Sequence, residues 1–388
     1  VKEISRRYSN RLKENRKEGE IYNNMVNVQT RSVLGSIQSY PLGLSTEEIQ
    51  KRYKLNRVLK MSDNENIYGC APVVKEAILR NLSCLHLYPD GHTSELISGL
   101  ANLYHLNEEQ FITGNGSDEI IRLLTRAYIE KGDEAIMADI TFPRYETNVV
   151  IEGGTVVKVP VIEGVHDLSG MLDRITEKTK MIFVCNPNNP TGTIVGKEDL
   201  LRFIVNVPDN ILIVLDEAYY EYVTSDQYLQ SIPLLDSCSN LIILRTFSKI
   251  YGLAGLRAGY GMMHPSIVKE LQKVKEVFNV NVIAQIAAVQ ALASQDFITM
   301  CVEKNTLERD YVCDQLKKVD LHYFSTHTNF LYVYSQLPIS QHLISNGFLV
   351  RPMKLNGYAD AFRMTFASRE DNEAALSVIR QIKKDLAV

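Results

Sequence analysis

Four short segments of this 388-residue chain combine residue types that could do chemistry. Gly114-Asn115-Gly116-Ser117-Asp118 sets two glycines ahead of an amphipathic run. Free backbone N–H groups at such a helix start suit a phosphate, although a plain turn with Ser or Asp as N-cap fits the same letters. Cys185-Asn186-Pro187-Asn188-Asn189-Pro190-Thr191-Gly192 is a rigid two-proline turn, also compatible with a purely structural role. Asp216-Glu217-Ala218-Tyr219 ends an apolar run, where a buried carboxylate needs a cationic or N–H partner. Arg245-Thr246-Phe247-Ser248-Lys249 is followed by Gly252-Leu253-Ala254-Gly255-Leu256-Arg257. Lys249 and Arg257 read either as surface ion-pair residues or, for Lys249, as a desolvated amine fit for Schiff-base chemistry.

These segments need a scaffold that brings them together. Short β-rich runs over 111–113, 134–138, 181–184, 211–215 and 241–244 alternate with longer amphipathic stretches such as 118–130 and 197–205. Continuous apolar strands between helices predict an α/β domain with a doubly wound, mostly parallel sheet. The four segments follow four of those strands, at the carboxyl ends where open α/β sheets bind ligands. Beyond about residue 280 the pattern changes to long helical stretches over 282–293 and 297–319, strands over 330–334, 348–353 and 362–367, and a closing helix. That predicts a smaller α+β domain.

Composition narrows the class. At 45% hydrophobic and 23% charged residues the chain is globular rather than disordered, and a net charge of −4 argues against nucleic-acid or membrane-surface partners. No apolar run approaches the ~18–20 residues of a membrane span, and the charged N-terminus lacks a secretory h-region. Six scattered cysteines without a C-x-x-C motif predict reduced thiols, no metal site and a cytoplasmic location. The first 18 residues carry a net +4, leaving −8 on the rest, and predict a solvated helix or mobile arm.

In their order and spacing, Asn188–Gly192, Asp216–Tyr219, Ser248-Lys249 and Leu253–Arg257 resemble the pyridoxal-phosphate enzymes of fold type I, in the class I/II aminotransferase group. The resemblance runs from about Tyr40 to Leu386. It implies a small α+β domain from 40–75 and 281–388 and a large cofactor-binding domain over 76–280, preceded by the basic N-terminal arm over 1–39, which is longer than the resemblance requires. With pyridoxal 5'-phosphate as cofactor, it makes Lys249 the Schiff-base lysine and proton shuttle, and Asp216 the partner of the pyridinium nitrogen. Asn189 and Tyr219 would meet the ring phenolate oxygen. Ser248, Arg257 and the N–H groups of Ser117 and Asp118 would hold the phosphate, and Phe142 would stack on the ring. Tyr145 is expected to serve packing.

Within that group the chain is most similar to the histidinol-phosphate aminotransferase branch, through Tyr40 in IQSYPLG, SDNENIYG, Leu87-Tyr88-Pro89-Asp90-Gly91, GNGSDEII and VRP…AFRMTFAS. Ile67 and Leu87 stand where the branch usually carries Pro and Arg. The similarity implies a homodimer in which Tyr88 reaches the neighbouring subunit's cofactor phosphate. Arg351 and Arg363 would bind the anionic end of the substrate, with Tyr40 and Asn329 beside them; read alone, Arg351 on its apolar strand is either an anion site or a rim salt bridge. The implied reaction moves an amino group between glutamate or 2-oxoglutarate and a small phosphorylated amine or amino acid, histidinol phosphate first. The alternatives are a decarboxylase of O-phosphoserine or O-phosphothreonine, and an aminotransferase making another phosphorylated amino alcohol.

Overall fold

The computed structural model describes residue 3, residues 28–40 and residues 42–386, so most of the expected basic arm lies outside the described residues. The chain divides into two compact units, 1–37 and 38–388. The first contributes a 3-10 turn at Ser32–Ser36. All other elements belong to the second.

Thirteen strands are described: β1 (Leu59–Lys60), β2 (Phe111–Gly114), β3 (Glu134–Ala138), β4 (Thr155–Val159), β5 (Thr179–Cys185), β6 (Leu212–Asp216), β7 (Leu241–Thr246), β8 (Gly259–Met263), β9 (His322–Tyr323), β10 (Phe330–Ser335), β11 (Phe348–Leu349), β12 (Arg351–Met353) and β13 (Asp360–Thr365). Seven of them form one sheet in the order β2-β8-β7-β6-β5-β3-β4. Its β4, β3, β5, β6 and β7 run parallel, and only β8 opposes its neighbours. The expected doubly wound, mostly parallel sheet is therefore the observed one. Both faces are covered, as the continuous apolar strands require. Ile182, Val184, Ile213, Leu215 and Ile243 pack into one core, while Met181, Phe183, Val214, Ile242 and Leu244 pack into another on the opposite face.

A four-stranded antiparallel sheet, β12-β13-β10-β9, packs with the helices Gln295–Lys318 and Arg369–Leu386 through Val312, Leu316, Leu331, Phe362, Leu376 and Ile379. This is the expected α+β arrangement, with one correction. The strand expected over 348–353 is broken at Val350. Its first half, β11, pairs in parallel with β1, and its second half, β12, joins β13. The sequence reading also passes over β4, β8 and the helices Thr46–Tyr53, Pro72–Arg80 and Ser94–Tyr104. The helix Thr46–Tyr53 begins with a complete capping box between Ser45 and Glu48. Among the described residues no single helix is long and apolar enough to cross a membrane. All six cysteines are free thiols, as expected.

A buried ion pair locks the sheet edge that carries the polar segments. Arg245 of β7 donates through Nη2 to Glu217 Oε2 at 2.7 Å, with both side chains almost wholly inaccessible. Glu217 directly follows Asp216, and the backbone N–H of Glu217 donates to the Leu244 carbonyl at 2.8 Å. The ends of β6 and β7 are thus fixed against each other.

Candidate active site

The four segments converge on one cavity of about 130 Å³ at the carboxyl edge of the large sheet, whose lining includes Ser117, Phe142, Asn189, Asp216, Lys249 and Arg257. Asp118, Tyr219 and Ser248 line it as well. Asp216, at the end of β6, is buried; the Tyr145 hydroxyl donates to its Oδ2 at 2.6 Å and the Ala218 N–H to its Oδ1 at 3.2 Å. Burial raises its carboxyl to about 6, against the lowering effect of those two donors. Lys249 Nζ donates to the Asp63 carbonyl at 3.2 Å. Burial first, and then the Arg363 charge, lower its ammonium to about 8. Tyr219 is buried and its hydroxyl accepts from Asn64 Nδ2 at 2.9 Å.

At the start of the helix Ser117–Tyr128, Arg257 Nη1 donates to Ser248 Oγ at 2.9 Å. Two glycines keep this corner open. A Cβ on Gly116, where φ is +79°, would stand 2.4 Å from Arg257 Nη2, and one on Gly259 would stand 2.4 Å from the Ser117 nitrogen. Asp118 turns its carboxylate to Arg144 Nε at 3.2 Å.

The small antiparallel sheet contributes a second cluster. Arg351 of β12 and Arg363 of β13 are direct cross-strand partners. Arg363 is buried; its Nη1 donates to Asn189 Oδ1 and its Nη2 to the Ser62 carbonyl, both at 2.6 Å, while Nε has no partner among the described residues. Burial, opposed by nearby acidic groups but reinforced by Arg351, lowers its pKa. The Tyr40 ring lies 5.4 Å from Arg351 Cζ. Asn329 Nδ2 donates to the Asn64 carbonyl at 3.0 Å, leaving its buried Oδ1 without a partner among the described residues. Tyr88 is not among the residues lining the cavity: it is 82% exposed and stacks on Phe278 at 4.8 Å.

The family model for aminotransferase class I and II matches residues 56–379. The chain belongs to this family. It is 40% identical over 361 residues to a protein named histidinol-phosphate aminotransferase from Geobacillus sp. (strain WCH70), covering 92% of this chain and 99% of that one. The relative of the same name from Bacillus subtilis (strain 168) is 40% identical over 353 residues, 90% of this chain and 98% of that one. Among solved structures, histidinol-phosphate aminotransferase from Sinorhizobium meliloti, in complex with pyridoxal-5'-phosphate, superposes with a TM-score of 0.86 at 25% identity, over 93% of this chain and 99% of that chain.

Two residues of this candidate site carry no assigned role in the sequence reading. Tyr145 was expected to pack only. It is fully buried and stacked on Phe183 at 4.7 Å, yet its hydroxyl is a donor to Asp216. Its place three residues after Phe142, with the two rings edge to face at 5.5 Å, was the available signal. Asn64, within the SDNENIYG segment, has no role assigned from sequence, and it holds the Tyr219 hydroxyl. A polar amide flanked by the charged residues Asp63 and Glu65 gives no sign in sequence that it is almost completely buried.

Proposed function

We propose that the chain is a pyridoxal 5'-phosphate-dependent transaminase that moves an amino group between histidinol phosphate and 2-oxoglutarate. The observation that carries this reading is the register of Arg351 opposite Arg363, beside the cavity that holds Lys249 and Asp216. Like charges directly opposed on neighbouring strands are destabilising. A dianionic phosphate offsets that repulsion, and each charge-assisted contact contributes roughly 1.5–3 kcal/mol.

The cavity's donor set fits the cofactor. A guanidinium, a serine hydroxyl and a helix start kept open by two glycines match a phosphate group. A buried carboxylate already holding two donors matches a protonated ring nitrogen, and an amine of lowered pKa matches an aldehyde. When bound, the cofactor supplies the carbonyl carbon for amine exchange and a ring that accepts the electron pair left at the substrate Cα. Ser248, Arg257 and the N–H groups of Ser117 and Asp118 would hold its phosphate, Asn189 and Tyr219 its phenolate oxygen, Phe142 its ring face, and Asp216 its nitrogen. Lys249 Nζ takes and returns the Cα proton; with a pKa of about 8, roughly a tenth of it is neutral at pH 7. Arg363 also turns the Asn189 amide by holding its Oδ1.

Three further readings accompany this one. The separate core beneath the small sheet, holding Met61 and residues from Val312 to Ile382, supports a small domain within 40–75 and 281–388 beside 76–280; Ala71, Val74 and residues 284–301 pack instead into the core of the large sheet. An exposed apolar run, Leu79, Leu82, Leu85, Leu87, Tyr88 and Phe278, supports a homodimer in which Tyr88 serves the neighbouring site. A monomeric mass in solution would contradict that. Six free thiols support a cytoplasmic enzyme; residence in an oxidising compartment on cell fractionation would contradict it. The function itself is tested by incubating the holoenzyme with histidinol phosphate and 2-oxoglutarate. Glutamate should form stoichiometrically with the ketone product. Faster CO2 release from O-phosphoserine or O-phosphothreonine would favour the decarboxylase instead.

A further inference from the structure

The substrate side of the site holds an acidic side chain that transamination does not use. Asp63 sits beside the active-site lysine, its carbonyl oxygen accepting from Lys249 Nζ at 3.2 Å. It lines a second cavity of about 890 Å³, together with Arg351, Tyr40, Leu42, Ile49 and Leu349. Lys60 Nζ pairs with its Oδ2 at 2.8 Å and with Glu65 Oε1 at 2.8 Å, all three side chains half-exposed, and no side chain among the described residues donates to Asp63 Oδ1. Burial alone would raise this carboxyl, but Lys60, with Arg363 and Arg351 beyond it, outweighs burial and holds it below its ordinary value. A carboxylate next to an anion-binding arginine pair weakens the pull on any anion, so it is a costly neighbour for a phosphate pocket. It also offers about four lone-pair sites, of which Lys60 engages one.

We propose that Asp63 is a specificity-determining residue whose Oδ1 accepts a hydrogen bond from an N–H on the substrate's side chain. The preferred substrate is then a phosphorylated amine carrying an N–H donor such as an imidazole, rather than a purely apolar side chain. This rests on the transaminase reading above and refines its substrate class. The competing account makes Asp63 only the anchor of Lys60.

The test compares kcat/KM of the holoenzyme for histidinol phosphate and for 2-amino-3-phenylpropyl phosphate, which has nearly the same shape without the N–H. The wild-type preference for the imidazole should be at least about tenfold, since a site built to bind an N–H rejects the analogue that lacks it. Asp63→Ala should reduce that ratio to about twofold or less, through the KM for histidinol phosphate. Asp63→Asn keeps the shape, guards against misfolding of the alanine variant, and should fall between. Lys60→Ala removes the ion pair but keeps the acceptor, so the preference should survive it. A preference untouched by Asp63→Ala overturns the inference and leaves the transaminase reading standing. Equal collapse in Lys60→Ala overturns it too, in favour of the anchor. If neither phosphate is turned over, both readings fall.

Discussion

The two halves of the site are built differently. At the large-sheet edge the polar groups are already matched within the protein: Tyr145 and Ala218 on Asp216, Asn64 on Tyr219, Arg257 on Ser248. At the small sheet, two arginines face each other across a strand pair, and Arg363 Nε and Asn329 Oδ1 have no partner among the described residues. A preorganised first half suits a rigid group that stays bound from one turnover to the next. The second half keeps buried polar atoms without partners among the described residues, which suits a ligand that arrives and leaves.

If that contrast holds, lesions in the first half should damage the chemistry for every substrate alike. Lys249→Ala should lower turnover at least about ten-thousandfold, because covalent attachment and proton transfer are lost together. Borohydride reduction followed by peptide mass spectrometry should find the cofactor on Lys249 in the wild type and nowhere in the variant. Asp216→Asn should lower kcat by about a hundredfold to a thousandfold, the scale of losing one preorganised electrostatic partner, with KM values little changed. A KM effect confined to phosphorylated substrates would blur the two halves into one.

Smaller effects sharpen the same contrast. Tyr145→Phe removes a donor that lowers the Asp216 carboxyl, so that group should titrate higher than its present value of about 6. The acid limb of the kcat profile should therefore move to higher pH for all substrates. An unmoved limb would return Tyr145 to packing alone. Asp216 has a folded pKa above its ordinary one, so holding it ionised costs the cofactor-free fold stability above about pH 6, and that cost vanishes as pH falls below the unfolded value. The cofactor-free Asp216→Asn protein should accordingly melt a few degrees higher than wild type at about pH 8 and nearly equally at about pH 4.

The first half was legible in the sequence and much of the second was not, for physical reasons. Runs such as 181–184 and 241–244 are apolar throughout because both faces of a parallel sheet are buried, and polar letters at their ends stand out. Gly259–Met263 carries two glycines, which strands usually avoid, and β4 is partly exposed, so neither announces itself. The break at Val350 could not be read from an unbroken apolar stretch, yet it sends Leu349 to one sheet and Arg351 to another. Arg351 and Arg363 were recognisable as a pair of cations; their direct opposition depends on strand register, which local spacing does not encode. Tyr145 looked like packing because its partner lies 71 residues away.

The opposed arginines should select a phosphate independently of the chemistry next door. The most direct measurement is kcat/KM for histidinol phosphate against histidinol, in the wild type and in Arg351→Ala, with cofactor retention followed in parallel. The wild type should prefer the phosphate by at least about a hundredfold, roughly 2.7 kcal/mol, and Arg351→Ala should erase most of that preference while holding its cofactor as tightly as before. Equal rates on the two compounds in the wild type, or a preference that survives the loss of Arg351, would contradict the account.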